Sequence, residues 1–259
     1  MSRTSHRKFA YGIALAAALI ATGTSSLSEV SVGSTVESRV LLGFKVDDAA
    51  VAGMLPEGWT PITLGKGPVA GSNLIVALID RHLILDADGN PGHPSSGPTV
   101  AFLSYGRSEG VQEVRGFVTR VYEEAPVVDP YKTSVTADID RFSSFSDLGN
   151  GERVQSEEWT ILPSGGGELR FELDFNVGVY GWVTAGESRP FSPEDPEFFR
   201  IYRYDQLASL AMNTNMGLEL NGTVNFSASD PDLEALFDGS EELISIVSIP
   251  IYLRKISLP

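Results

Sequence analysis

Ten apolar, β-branched runs separated by clusters of turn formers leave this chain few folds to choose from. Val36–Phe44, Asn73–Leu85, Thr99–Gly106 and Val111–Tyr122 read as successive strands. Lys132–Ile139, Glu152–Leu162, Glu168–Val179, Leu218–Ser227 and Leu243–Leu258 follow the same grammar. Phe198–Leu210 is ambiguous between strand and helix, although its Phe-Phe-x-Ile-Tyr-x-Tyr opening favours a strand. The turn formers of "DADGNPGHPSSG" close one run, and "PSGGG" between two others marks a hairpin. Helices are few and short. Asp47 can cap one that runs to Leu55, where Pro56 stops it. "SDPDLEALFDG" is the second, with Asp230 as cap, Pro231 at the first helical position and Gly239 at the end. Strands at this spacing predict a mainly β (α+β) barrel or sandwich with a few short helices.

Of the 259 residues, 42% are hydrophobic, enough for a substantial core. Arg3, Arg7 and Lys8 precede the apolar run "FAYGIALAAALIATG", and small residues follow it. That is the order of a secretory signal, and the run is short for a membrane span of about 20 residues. Residues 1–28 are therefore read as a cleaved signal peptide and 29–259 as a single domain, periplasmic or secreted. The chain has no cysteine, which removes disulfides, thiolate nucleophiles and cysteine-ligated zinc. A formal charge of −15 repels phosphate backbones and anionic headgroups, so nucleic acid and membrane-surface roles are excluded.

Both ends of the chain resemble one family. "FKVDDAAVAGMLPEGWTP" is similar to the opening of the acetoacetate decarboxylase superfamily, where an aromatic–Arg–x–Asp strand leads into a short helix ending in Leu-Pro-x-x-Leu. "GLELNGTVNFSASDPDLEALFDGSEELISIVSIPIYLRKISLP" resembles that family's closing strand, short helix and long final strand ending in Leu-Pro. The middle of the chain matches more loosely, in the right order. The resemblance implies a closed, cone-like antiparallel β-barrel around a mostly apolar pocket.

It also implies a chemistry, in which a lysine forms a Schiff base with a β-keto acid. Acetoacetate decarboxylase is the standing example of such an amine, kept neutral by desolvation or by a neighbouring cation. The family places that lysine in a Pro-Lys-Lys run midway along the chain. The corresponding region here is "EEAPVVDPYKTSVTADID", and Lys132 is the only lysine between Lys66 and Lys255. Lys132 is thus the candidate nucleophile, although Thr133 follows it where the family has a second cation. Lys45 in "GFKVD" stands at the family's strand arginine and is the candidate carboxylate anchor, without the bidentate fork of a guanidinium. Glu113 and Glu123 are candidate proton shuttles by location.

Other constellations are weaker. Ser104, His82 and Asp80 would have to meet across strands to make a hydrolytic triad, and no G-x-S-x-G is present. "DADGNPGH" carries Pro91 and Gly97 where a calcium-binding EF-hand loop needs glycine and glutamate. Asn221-Gly222-Thr223 is a glycosylation sequon inside an expected strand. "SGGG" lacks the strand–glycine–helix context of a phosphate loop. Tyr180 to Trp182 stand where they could line a pocket mouth.

The expectation is an exported barrel that encloses a small, largely apolar, keto-acid-like molecule. It needs no cofactor or metal, and a homo-oligomer is left open. In its enzymatic form it would be a Schiff-base lyase of the decarboxylase kind, with Lys132, Lys45, Glu113 and Glu123 in the roles given. The rival is a non-catalytic exported binding protein for a hydrophobic ligand, and a triad hydrolase stands third. Burial separates the first two, because the lyase needs a lysine inside the pocket.

Overall fold

The structure is a computed structural model that describes residues 29–149 and 152–259, so the expected signal peptide lies outside the described residues. In chain order the strands are β1 (Val30–Lys45), β2 (Trp59–Pro61), β3 (Leu74–Leu85), β4 (Gly97–Ser108), β5 (Val111–Glu123) and β6 (Ser134–Asp147). They continue as β7 (Arg153–Pro163), β8 (Leu169–Asn176), β9 (Gly181–Ser188), β10 (Pro190–Phe191), β11 (Ile201–Asn213), β12 (Gly222–Ala228) and β13 (Glu242–Leu258). The one α-helix described, α1, covers Asp48–Ala52, and Thr214–Met216 and Pro231–Leu233 are single 3-10 turns.

The strands pair in the order β12-β8-β7-β6-β5-β4-β3-β1-β13-β11-β9, with β10 beside β5 and β2 beside β4. This corrects two expectations. The sheet is open, because β12 and β9 end the order and no pairing among the described residues joins them, so it is not a closed barrel. Nor is it purely antiparallel: β5 runs parallel to β6 and to β10. The reason lies at the β5–β6 junction, where only Val121–Glu123 pair with Ser134–Thr136. A three-residue seam lets the sheet fold back on itself instead of carrying the constant tilt and stagger that closure requires.

The result is two layers. β6, β7, β8 and β12 lie over one face of β1, β3, β4, β5 and β13, and the main core fills the space between. Phe44 of β1 meets Phe226 of β12 edge-on at 5.0 Å between ring centroids. Polar pins cross the same gap: Arg141 of β6 donates to Asp80 of β3 at 2.6 Å, and Ser248 of β13 donates to Gln155 of β7 at 2.6 Å. Strand β3, "LIVALIDRHLIL", is apolar without alternation over its first six residues because both of its faces are covered there. Leu74, Val76 and Leu78 enter the core, whereas Ile75, Ala77 and Ile79 face the other way, into a cavity.

The two expected helices are shorter than their sequence signals. Asp47 does cap α1, accepting from the Ala49 and Ala50 amides, but the helix ends at Gly53. Asp47→Ala should cost about 1 kcal/mol, read as a lower urea midpoint with unchanged slope. Around Asp230 only the turn Pro231–Leu233 forms, since Leu233, Leu236 and Phe237 reach the core within a turn and a half. Asp230 both caps that turn and accepts from the buried Tyr122 hydroxyl. The "PSGGG" hairpin is as read: Gly166 donates to the Pro163 carbonyl at 2.9 Å between antiparallel β7 and β8.

Candidate functional site

A cavity of about 1080 Å³ opens on the face of β1, β3, β4, β5, β11 and β13 that points away from the main core. Its floor is apolar, built from Leu41, Ile75, Ala77, Ile79, Ala101 and Leu103 at alternate positions of adjacent strands. The chain around Ala125–Tyr131 and around Ser188–Arg200 forms the rest of its wall.

One end is rich in charge and hydroxyl groups. Glu37 of β1 is completely buried next to that wall, between two arginines. Arg254 of β13 donates to it at 2.6 Å and Arg39 donates from Nε at 2.6 Å. Burial by itself would raise the Glu37 carboxyl, but the Arg254 and Arg39 guanidiniums outweigh it and hold the group at about 2. Each arginine also lies over a ring, Arg39 over Tyr252 at 3.7 Å and Arg254 over Tyr202 at 4.5 Å. Tyr202 and Tyr131 bring their hydroxyls to 2.6 Å from each other. Burial pushes the Tyr131 phenol well up, with the Tyr202 hydroxyl adding to it and Arg200 and Arg254 opposing it. Tyr252 is raised to about 12 by burial, again against the pull of Arg39 and Arg254.

Local structure explains why Tyr131 and not Lys132 faces inward. Asp129 closes a turn by accepting from the Thr133 and Ser134 amides, both at 3.1 Å. Lys132 takes the left-handed conformation at the apex of that turn, with φ +59°, and its side chain is exposed. Ser192 fixes the preceding residue by donating to the Tyr131 carbonyl at 2.7 Å. In Pro130-Tyr131-Lys132 it is therefore the tyrosine that lines the cavity, and the candidate lysine is turned outward.

The other sequence-stated candidates divide. Lys45 is outside the cavity at the end of β1, ion-paired to Asp48 at 2.6 Å. Glu113 and Glu123 both line it. Glu123 is buried, 3.3 Å from Arg81, and accepts from Ser134 at 3.3 Å. Glu113 is exposed at the rim and pairs with Arg115 at 3.2 Å. Lys66 and Lys255 are exposed as well, so none of the four lysines among the described residues reaches the cavity.

The triad does not assemble. Ser104 pairs with Leu74, and His82 lies eight residues further along β3, roughly 26 Å away at strand rise. Asp86 of "DADGNPGH" is occupied by its own turn, accepting from the Asp88 and Asn90 amides. Trp182 stands exposed on edge strand β9 and does not line the cavity.

Sequence reading passed over Glu37 and Arg200. A glutamate in the middle of a strand, two residues before an arginine, was the available signal for the first. For the second it was the alternation that puts Arg200, Tyr202 and Tyr204 on one side of the chain entering β11.

No protein-family model and no curated protein sequence matches the chain. Solved structures do. An acetoacetate decarboxylase-like enzyme from Sphingomonas wittichii RW1 superposes with a TM-score of 0.56 at 15% identity, over 93% of this chain and 96% of that one. The enduracididine biosynthesis enzyme MppR complexed with pyruvate superposes with a TM-score of 0.52 at 14% identity, over 92% of each chain. Near-complete coverage at such low identity is a statement about fold, and the chain has the acetoacetate decarboxylase-like fold.

Proposed function

We propose that this chain is a non-catalytic member of its fold class, exported from the cell, that holds a small, largely apolar organic molecule without covalent attachment. The observation that carries the reading is the lining of the cavity: six arginines and five tyrosines and no lysine. An imine needs an amine that can lose its proton, and a guanidinium cannot supply one. A lyase would need Lys132 to turn inward, against the Asp129 turn and the buried Tyr131 beside it. The apolar floor and the chamber's size favour binding of an organic body. Export enters the reading from residues 1–28 alone.

Borohydride trapping tests it. The protein is incubated with pyruvate, acetoacetate and longer 2- and 3-oxo acids, reduced, and mapped by peptide mass. The expected result is no adduct on any lysine, beside a control enzyme that is trapped. An adduct on Lys132 with each oxo acid would restore the Schiff-base lyase.

A further inference from the structure

We infer that Arg200 is the anchor for a ligand carboxylate, and that the ligand is a monocarboxylic acid with an elongated apolar body. This rests on the reading of the cavity as a binding chamber. Six arginines line the cavity, and five have an acidic partner: Arg39 and Arg254 share Glu37, Arg81 takes Glu123, Arg115 takes Glu113 and Glu197, and Arg189 takes Glu187. Arg200 has none among the described residues, and its Nε is buried with no hydrogen-bond acceptor there. A desolvated donor on a guanidinium is costly to leave unmet, and Arg200 is one of the residues that line the cavity.

The position of Arg200 is set by backbone. Phe199 bridges to Phe191, and the Arg200 amide donates to the Pro190 carbonyl at 3.2 Å. Arg200 thereby opens the inward row that continues through Tyr202, Tyr204 and Gln206. The Tyr131–Tyr202 hydroxyl pair lies in the same region. One of the two hydroxyls donates to the other, which leaves one O–H proton for a ligand oxygen. A guanidinium fork plus one phenol matches a single planar carboxylate.

Size selects the rest of the ligand. About 1080 Å³ is just above the range of roughly 300–1,000 Å³ seen for drug-sized ligands and far exceeds a three- or four-carbon acid. The apolar floor runs from the charged end beneath β3 and β4, where Ala77 and Ala101 leave room for a chain or ring system.

The test uses cis-parinaric acid, a fluorescent C18 carboxylic acid, and its methyl ester as probes in fluorescence titrations. The protein is expected to bind the acid roughly 10- to 100-fold more tightly than the ester. Arg200→Met should bring the acid to the affinity of the ester and leave the ester unchanged, with Arg200→Lys in between. Equal affinity of acid and ester for the unaltered protein would end the anchor and leave the binding chamber standing. Equal weakening of both probes in Arg200→Met would also end it, since that is the mark of a wall residue. Binding of neither probe, alongside imine formation with short oxo acids, would overturn the chamber reading as well. Should Arg200→Met fail to fold, the acid-to-ester comparison on the unaltered protein and on Arg200→Lys decides alone.

Discussion

Replacing Glu37 by glutamine is expected to lower stability by about 3 kcal/mol or more at neutral pH, the range for removing one partner of a buried ion cluster. The carboxylate is completely buried and faces two guanidiniums, of which Arg254 also donates to Thr35 at 3.1 Å. Glutamine keeps the shape and one acceptor oxygen but leaves two cations without a counter-charge. The pH dependence gives an independent reading of the same interaction. The folded carboxyl sits at about 2 and its ordinary value is 4.5. A depressed folded value means stability that is fully present above the unfolded pKa and is lost as pH falls from about 4.5 toward 2. A difference of that size corresponds to about 3 kcal/mol. Urea midpoints between pH 7 and pH 2.5 should therefore fall less steeply in Glu37→Gln than in the unaltered protein. Equal midpoints at pH 7, or identical acid limbs, would show that the arginines are neutralised by something other than Glu37. Because Arg254 lies over Tyr202 at 4.5 Å, the variant should also loosen the hydroxyl pair at the charged end of the cavity.

How much of this was legible in the chain depends on which face a residue serves. β1, β3 and β13 are visible as apolar runs over 40–44, 74–79 and 244–249, where both of their faces are covered. β9 left no such trace: Gly181–Ser188 is an edge strand, exposed along most of its length, so no alternation had to be encoded. β6 extends to Asp147, past the expected end at Ile139, through "RFSSFSD", whose serines and exposed Phe142 and Phe145 look like loop. The open sheet was invisible for a different reason. Closure is decided at a three-residue parallel seam between β5 and β6, and nothing in "VYE" or "SVT" marks a strand as parallel. At the site, Glu113 and Glu123 were read as buried acids by location alone, and of the two only Glu123 is buried, Glu113 being exposed at the rim, whereas Lys132 was read by its position after a proline. Which of two adjacent residues faces inward depends on one left-handed residue held by Asp129, a contact that sequence pattern does not record. Glu37 and Arg254 lie 217 residues apart, so their pairing has no local signature.

In a sheet that does not close, side-chain packing has to do what a hydrogen-bonded seam would do, and Phe44→Ala tests how far that holds. Phe44 is completely buried between the layers, 5.0 Å from the Phe226 ring and 5.5 Å from the Phe237 ring. Truncating a fully buried phenylalanine costs about 3–5 kcal/mol, from lost transfer energy and the cavity left behind. The loss should not be uniform. β12 has β8 as its one strand neighbour among the described residues, and it packs on the main core through Val224, Phe226 and Ala228, of which Phe226 meets Phe44 of the first layer. Hydrogen exchange should therefore accelerate most in β12 and in the turn that carries Phe237, before β3 or β13 responds. Phe226→Ala, at a half-buried ring, should produce the same local pattern with a smaller global cost. The cavity is on the opposite face of β1, so any affinity for the fluorescent acid should survive in Phe44→Ala under conditions where the protein remains folded. A loss below about 1 kcal/mol, or exchange that speeds up equally in every strand, would mean that the β5–β6 seam holds the layers together by itself. The open order would then be a matter of local register, and the aromatic cluster would be ordinary core.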